Sequence, residues 1–193
     1  MRVLSINEAE LPAAFRAQVV AASREAWPAD PADAGSAVEA GHDPQLSPLA
    51  MLLLDGDVVV SALTVLSKGI EHLGRRYAAS GLSAVVTPTR FRHRGYGERL
   101  VTAAHDALAA GGIDLGIFTC DRPLQAFYER AGWRVLPGTV VIGGTPEAPF
   151  PSDQAGFDKV TMGALFSARA LAHATDFDNA RIALHPGDVD KLW

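Results

Sequence analysis

The chain has 193 residues, of which 48% are hydrophobic and 20% charged, a length and composition typical of one soluble globular domain. Its formal net charge of −5 at pH 7 argues against a protein whose surface as a whole binds nucleic acid. The single cysteine, Cys120, excludes an internal disulfide framework, and no apolar segment suits a signal peptide or a membrane span, so we expect a cytoplasmic protein without membrane contact.

A helix and an irregular loop are the first elements predicted along the chain. Within residues 10–27, the apolar side chains of Leu11, Phe15 and Val19 recur at helical spacing. Residues 28–48 are rich in proline, aspartate and glycine, which favour turns, so we expect an irregular loop there.

Strands are predicted next. Two apolar runs within residues 49–67 meet at Asp55–Gly56, a dipeptide typical of hairpin turns. Residues 69–87 predict two more strands, antiparallel to each other, with a turn near Gly74. Pro88 then ends the strand pairing because it has no N–H to donate.

From Gly95 onward the hydrophobic pattern alternates between helices and strands. The predicted elements are, in order, a helix ending at Gly111–Gly112, a buried strand (113–120), a helix (122–132), a bent strand or strand pair (133–144), a loop (145–156) and a last strand (157–167). Such alternation favours an α/β domain, a mixed sheet covered by helices.

A basic stretch, RFRHRGYGERL, occupies residues 90–100 between a predicted strand and a predicted helix. The first N–H groups of a helix have no internal partners, and the helix dipole favours negative charge there. Gly95 and Gly97 allow the backbone to approach a ligand closely, and Arg92 and Arg94 can donate charge-assisted hydrogen bonds. The stretch therefore predicts a site for a phosphate-containing ligand.

Two common phosphate-binding motifs do not fit these residues. A dinucleotide fingerprint needs a third glycine where Leu100 stands, and a P-loop needs a Gly-Lys-Ser/Thr sequence that is absent. A nucleic-acid interface is the third alternative, disfavoured by the acidic balance and by the lack of interleaved aromatic residues.

The segment VVTPTRFRHRGYGERL resembles the pyrophosphate-binding segment of the GNAT acetyltransferases, whose signature Gln/Arg-x-x-Gly-x-Gly/Ala is matched by Arg92, Gly95 and Gly97. Downstream, DRPLQAFYERAGW is similar to the family's Asn-x-x-Ala-x-x-Phe-Tyr-Glu-Lys-x-Gly-Phe helix, with Asp121 where asparagine is usual. The resemblance covers residues 48–142, and the pattern within the family is nearest to the aminoglycoside 2′-N-acetyltransferases.

This resemblance implies a single GNAT domain over residues 1–193. Its fold would be a mixed, mostly antiparallel central sheet with a splayed parallel strand pair, flanked by helices. Acetyl-CoA would be the cosubstrate, held in the gap between the strands LSAVVT and LGIFTC. The positions assigned to acetyl-CoA by resemblance are Ala84, Val85, Val86, Thr87, Arg92, His93, Arg94, Gly95, Tyr96, Gly97 and Asp121.

The resemblance also implies catalytic roles. Tyr128 would be the general acid that protonates the leaving thiolate, and a backbone N–H near Val85 or Val86 would polarise the thioester carbonyl. The strand glutamate that serves as base in the 2′ enzymes corresponds to Ser83, which cannot do that work. The base therefore stays open between Glu71, His72, Asp121 and water.

Two further points concern Cys120 and metal binding. Cys120 ends the strand beside the predicted thioester site, so a covalent acetyl-cysteine is possible, although a buried structural thiol is the simpler interpretation. The histidines have no metal-ligand spacing, and we expect no metal.

The predicted function is acetyl-CoA-dependent transfer of an acetyl group to a primary amine of a small, cationic acceptor by direct attack. A non-catalytic acyl-CoA-binding module is the alternative, and a homodimer is possible because dimers are common in the family. Acidic side chains suit a cationic acceptor, and the loops predicted on that side contain Asp30, Asp33, Asp43, Asp153, Asp158, Asp188 and Asp190.

Overall fold

The computed structural model describes residues 1–28 and 41–193. The strands are β1 (Arg2–Asn7), β2 (Leu49–Asp55), β3 (Val58–His72), β4 (Arg75–Val86), β5 (Leu115–Asp121), β6 (Arg134–Val135), β7 (Val140–Gly144), β8 (Pro149–Pro151), β9 (Lys159–Leu165) and β10 (Arg181–Ala183). The α-helices are α1 (Ala13–Ala26), α2 (Tyr96–Ala110), α3 (Gln125–Arg130) and α4 (Ala168–Ala172).

A seven-stranded sheet in the order β1-β2-β3-β4-β5-β9-β6 forms the centre of the molecule. Among its described strands, β4 and β5 are the one parallel pair, and every other neighbouring pair is antiparallel. A smaller sheet, β10-β7-β8, lies beside it. The predicted mixed α/β sheet, mostly antiparallel with one parallel pair, is confirmed.

Alternating side chains of β2 pack against helices on both faces of the sheet. Leu52 and Leu54 belong to an apolar cluster with α1, whereas Met51 and Leu53 belong to a larger cluster with α2. This two-sided burial explains why β2 is apolar throughout, since successive strand residues face opposite sides. None of the helices in the described ranges is long and apolar enough to span a membrane.

The parallel pair is short. β4 and β5 pair at Ala79 with Leu115 and at Ser80 with Gly116, and beyond these positions the strands diverge. A second irregularity lies farther along β4, where the register with β3 shifts and Ala84 has a φ of 49°. This β-bulge removes backbone groups of β4 from the ladder just where the gap between the strands opens.

One predicted boundary differs from the structure, and three strands were not predicted. Strand β3 runs through Gly69 to His72, so the first of the two strands expected within 69–87 is the continuation of β3. The glycine does not interrupt pairing, because its backbone stays in register with Ala78. Strands β1, β8 and β10 were not predicted, since they are short or lie at sheet edges, where the apolar pattern is weak.

Candidate active site

The predicted phosphate-binding loop lies between the end of β4 and the start of α2. Thr89–Phe91 forms a short 3-10 helix, after which the backbone turns through His93 and Gly95, with φ angles of 60° and 75°. Gly95 is the N-cap of α2 and has no side chain to cap the first N–H groups of the helix. Those donors therefore remain for an anion, which the helix dipole also favours.

The charged side chains of this loop are exposed. Arg92, His93 and Arg94 are all exposed, and Arg92 Nε donates to the Thr87 carbonyl at 3.1 Å. This bond folds the loop back onto the end of β4. The guanidinium groups of Arg92 and Arg94 can thus reach a polyanion without breaking a described ion pair.

Gly97 lies at a close approach between three elements. A Cβ at this position would lie 3.0 Å from Thr87 Oγ1 and 3.4 Å from the Phe127 ring. The absence of a side chain therefore lets the N-terminus of α2, the end of β4 and α3 pack together. The result is a cradle that a larger side chain would fill.

A cavity of about 450 Å³ opens where β4 and β5 diverge. One wall is the bulged part of β4, from Leu82 to Val85, and the other is the end of β5, from Thr119 to Asp121. Side chains of α1 and the C-terminal segment 189–193 close its remaining sides.

Trp193 occupies the narrow end of the gap. Its buried Nε1 donates to the Ile117 carbonyl at 2.8 Å, an acceptor that diverging strands leave without a partner from β4. Gly81 makes room for the ring, because a Cβ there would lie 2.4 Å from Trp193 Nε1 and equally close to the Ile117 oxygen. The indole therefore provides the hydrogen-bond donor that the Ile117 carbonyl of β5 lacks from β4, and it forms part of the cavity wall.

The β5 side of the cavity carries a tyrosine, a cysteine and an aspartate. Tyr128 is buried, and its ring centroid lies 4.9 Å from that of Phe118 in an edge-to-face contact. Burial raises the pKa of the Tyr128 phenol far above its ordinary value, with smaller contributions from Cys120 and Asp121. The phenol therefore stays protonated and keeps an O–H to donate at neutral pH.

Cys120 is poorly suited to be a nucleophile and Asp121 to be a base, although both lie beside the gap between the strands. Burial, aided by the charge of Asp121, raises the pKa of the Cys120 thiol to about 11, so that little thiolate exists at neutral pH. Asp121 lines the cavity but forms an ion pair with Lys159, with Oδ1 and Nζ 2.6 Å apart.

The opposite wall carries a histidine held between two side chains. His42 Nδ1 lies 2.9 Å from Glu8 Oε1, and His42 Nε2 lies 3.2 Å from Ser83 Oγ. Asp190 Oδ1 is 3.7 Å from His42 Nε2, and Asp190 Oδ2 accepts the Asp43 N–H at 3.1 Å. The cluster thus joins the end of β1, the loop before β2, strand β4 and the C-terminal segment.

Ionisation of this cluster follows from burial and proximity. Burial alone lowers the pKa of His42, but the hydrogen bond and charge of Glu8, together with Asp190, raise it above its ordinary value. Burial raises the pKa of Glu8, but its contacts with His42 outweigh this and hold it below the usual range. Burial raises the pKa of Asp190. Glu8 is therefore the ionised partner of His42 at neutral pH.

Four of the predicted site residues line this cavity, whereas the others, Val86 and Thr87 among them, do not. Ala84, Val85, Asp121 and Tyr128 line the cavity, whereas the residues of the 92–97 loop lie at the start of α2. Glu71 is exposed near the far end of β3, and the structure does not bring it to the cavity. His72 donates from Nε2 to the Asp176 carbonyl at 2.7 Å and also lies outside the cavity.

The predicted acidic residues are divided in the same way. Asp190 lines the cavity, and Asp43 lies outside it but donates its backbone N–H to the Asp190 carboxylate. Asp153 pairs with Arg181 and Asp158 with Arg122, which neutralises both carboxylates locally. Asp188 is exposed and does not line the cavity, while Asp30 and Asp33 lie outside the described residues.

Glu8 and His42 were missed from the sequence. They are 34 positions apart and belong to no contiguous motif, so spacing alone does not connect them. A signal existed for His42, since it is the one histidine within the loop, residues 28–48, that was expected beside the acceptor. Glu8 had no such signal, because strand β1 was not predicted.

The arrangement combines three chemical capabilities. Unpartnered N–H groups and exposed arginines at the start of α2 suit a phosphate-containing ligand. The bulge of β4 offers backbone groups inside the gap between the strands. A protonated phenol on one wall and an imidazole with a carboxylate partner on the other can donate and accept protons across the cavity.

Comparison with known proteins agrees with the fold described above. An acetyltransferase (GNAT) domain model matches residues 5–136. An acyl-CoA N-acyltransferase from Pseudomonas aeruginosa superposes with a TM-score of 0.59 at 15% identity, covering 84% of this chain and 97% of that one. An aminoglycoside 6′-N-acetyltransferase from Enterococcus faecium superposes with a TM-score of 0.55 at 17% identity, covering 88% and 99%.

A further solved structure is an aminoglycoside 6′-N-acetyltransferase complexed with coenzyme A, with a TM-score of 0.57 at 16% identity, covering 88% of this chain and 99% of that one. No curated protein matches the sequence. At these identities the structures support the fold, whereas the family model spans more than half of the chain. The chain therefore belongs to the GNAT acetyltransferases, enzymes that use acetyl-CoA as the acetyl donor.

Proposed function

We propose that this protein transfers the acetyl group of acetyl-CoA to a primary amine of a small, cationic acceptor. The observation that carries the proposal is the cavity between β4 and β5, which has Tyr128 on one wall and the carboxylates of Glu8 and Asp190 near the other. Acetyl-CoA supplies a thioester whose acetyl carbon is the electrophile and whose sulfur is the leaving group.

The residues present fit this donor. The pyrophosphate would be held by the first N–H groups of α2 and by Arg92 and Arg94, over the cradle at Gly97. Backbone groups of residues 84–87 would bind the extended pantetheine as an added strand does, and an N–H at Val85 or Val86 would donate to the thioester oxygen. His93, Tyr96 and Asp121 complete the proposed donor site.

Charge on the opposite side of the cavity favours a cation. Glu8 is held ionised beside His42, and Asp190 adds a second acidic group on the same side. Asp121 is balanced by Lys159, so it contributes little net charge. A protonated amine entering from this side would find two carboxyl groups within a partly buried site, where screening by solvent is reduced.

Tyr128 is the proposed acid. Its phenol stays protonated at any working pH, because burial raises its pKa, and its O–H can hydrogen-bond to the departing sulfur. Cys120 is not needed as a nucleophile, since its thiol is protonated at neutral pH. Direct attack by the amine therefore remains the simplest chemistry.

A free-thiol assay tests the proposal. Acetyl-CoA is incubated with aminoglycosides, polyamines, amino acids or peptides with free N-termini, and the product amide is identified by mass spectrometry. We expect release of coenzyme A with a polycationic amine, and an aminoglycoside acetylated at the 2′ amine would support the finer resemblance. Binding of acetyl-CoA without turnover on any amine would instead favour a non-catalytic acyl-CoA-binding module.

A further inference from the structure

We propose that His42 is the general base of this site, accepting the proton of the acceptor ammonium at Nε2, with Glu8 as the positioning residue. The inference rests on the proposed function, because it names the group that prepares the amine for attack. It starts from a polar cluster of the cavity wall that neither the motifs nor the donor site explain.

Hydrogen bonding fixes which nitrogen of His42 is available. An ionised carboxylate can only accept, so the 2.9 Å contact with Glu8 Oε1 requires that His42 Nδ1 carries the hydrogen. In the neutral ring Nε2 is then the acceptor, and its 3.2 Å partner, Ser83, can donate its hydroxyl hydrogen to it. The basic nitrogen is thereby turned toward β4 and the cavity.

The position of Ser83 explains why a histidine is needed. Ser83 lies directly before the bulged residue Ala84, on the strand that forms one wall of the cavity. A serine hydroxyl is too weak a base to deprotonate an ammonium at neutral pH. His42 contacts this hydroxyl and therefore supplies basicity at a position where the strand itself has none.

The other candidates for a base are placed less favourably. Glu71 and His72 do not line the cavity. Asp121 lines it on the β5 side, where it is occupied by an ion pair with Lys159. His42 combines proximity to the bulge with a partly buried carboxylate partner, which is the usual signature of an oriented base.

The charged groups around His42 suit a base that works near neutral pH. Glu8 follows β1 and Asp190 comes from the C-terminal segment, and both favour the imidazolium. Asp43 acts on Asp190 rather than on the ring, while Arg16 of α1 donates to the Glu8 carbonyl and faces its carboxylate. The sum keeps the pKa of His42 above its ordinary value despite burial.

The proton and the acetyl group move in a balanced sequence. When the Ser83 hydroxyl turns its hydrogen away from His42 Nε2, the ammonium of the acceptor gives one proton to this nitrogen. The neutral amine that results forms the new C–N bond with its lone pair. The C–S bond breaks and its electron pair stays on sulfur, and the resulting thiolate takes a proton from the Tyr128 phenol. The second amine proton is lost to solvent, and the phenolate takes up a proton from solvent in turn. The imidazolium then releases its proton to water, so acetyl-CoA and an ammonium yield an amide, a thiol and one proton.

The kinetic test compares His42→Gln with His173→Gln. His173 is also a histidine beside a carboxylate, with Nδ1 3.5 Å from Asp176 Oδ2, but it does not line the cavity. With the best amine of the panel, we expect His42→Gln to lower kcat/KM about 10²-fold or more and His173→Gln to leave it unchanged. Binding of acetyl-CoA and the melting temperature are measured for each variant to verify folding.

The pH profile separates a base from a structural residue. A base works in its neutral form, so kcat/KM of the native enzyme should rise with pH through the pKa of His42 and then level. Because Glu8 raises that pKa, Glu8→Gln should move the rising limb to lower pH. His42→Gln should remove the limb.

A spectroscopic measurement needs no substrate. In ¹H–¹⁵N spectra of the imidazole rings, the His42 signals are those lost in His42→Gln. We expect their titration midpoint above the ordinary histidine value of about 6.5, and a lower midpoint in Glu8→Gln.

These measurements distinguish failure of the inference from failure of the proposed function. Turnover and a pH limb that persist in His42→Gln overturn the assignment of the base while the transferase activity stands. Acetylation of Ser83 by acetyl-CoA alone, seen as a mass increase that Ser83→Ala abolishes, also overturns it, since His42 would then serve a serine nucleophile. If no amine is acetylated, the proposed function is wrong. Independently of turnover, a His42 titration midpoint at the ordinary histidine value that does not change in Glu8→Gln overturns the assignment of the base.

Discussion

At the scale of single residues, two buried tyrosines allow the phenol chemistry to be tested with a matched control. Tyr128 lines the cavity, whereas the Tyr77 hydroxyl is buried and has no hydrogen-bond partner among the described residues. We expect Tyr128→Phe to lower kcat about 10²-fold, because the departing sulfur loses its hydrogen-bond donor, with little change in acetyl-CoA affinity. Tyr77→Phe removes the same atom and should leave kcat unchanged.

Steady-state kinetics with saturating acetyl-CoA measure this difference, and equilibrium binding of coenzyme A verifies that the donor site is intact. Equal rates for native enzyme and Tyr128→Phe would assign the acid role to another group or to water.

At the level of residues, sequence alone could predict local backbone geometry where the pattern occupies consecutive positions, and the phosphate-binding role of those positions stays a prediction. Gly95 and Gly97 form part of a contiguous motif whose backbone requirement is local, and the structure has the left-handed φ and the close packing that such glycines permit. Glu8 and His42 meet only through the tertiary fold. Their contact depends on the path of the chain between them, which no local pattern encodes.

At the scale of elements, the diverging strands depend on an indole to complete their hydrogen bonding. Trp193 Nε1 donates to the Ile117 carbonyl, whereas Trp133 Nε1 is buried without a partner among the described residues. Trp193→Phe and Trp133→Phe remove similar volume. Only Trp193→Phe leaves a backbone carbonyl, that of Ile117, without its hydrogen-bond donor. We therefore expect Trp193→Phe to lower the free energy of unfolding by about 1–3 kcal/mol more than Trp133→Phe.

Urea denaturation of both variants at one pH measures the two losses. Equal losses would mean that water replaces the indole at the Ile117 carbonyl, and that the splay does not need Trp193 for its stability.

The elements that the sequence failed to predict are mainly short strands at the edges of the sheets. The central elements have strong apolar patterns. The strands β2 and β5 are buried on both faces, and the helix α2 buries one wide stripe. Strand β8 contains prolines and lies within a predicted loop, since a short edge strand needs few N–H donors. Tertiary pairing, which single-sequence patterns do not report, creates such strands.

At the scale of the whole molecule, donor binding should stabilise the fold, because it bridges β4, the basic loop and α2. At a coenzyme A concentration of 100 times Kd, the native protein gains about 2.7 kcal/mol. That corresponds to a rise in melting temperature of about 5–10 °C for a domain of this size.

Gly97→Glu should abolish most of this rise, because its side chain fills the cradle between Thr87 and Phe127 and adds a negative charge beside the phosphates. Gly69→Glu is the matched control, since Gly69 is exposed and nothing lies within 4 Å of a Cβ built there. Differential scanning fluorimetry with and without coenzyme A measures the shift. A full shift in Gly97→Glu would refute the assignment of this loop to the phosphates.

The proposed donor site and the acidic wall of the cavity lie in different parts of the chain, so mutations can change one without the other. The proposed donor-binding groups come from one continuous stretch, residues 84–121, whereas the acidic wall is assembled from Glu8, His42 and Asp190. Substitutions near these scattered positions, outside the proposed base His42 and its partner Glu8, can alter which amine is accepted while leaving the cosubstrate untouched. A laboratory selection for new acceptors should therefore concentrate its mutations near Asp190 and in the loop before β2, and retain Glu8, His42 and the glycine loop unchanged.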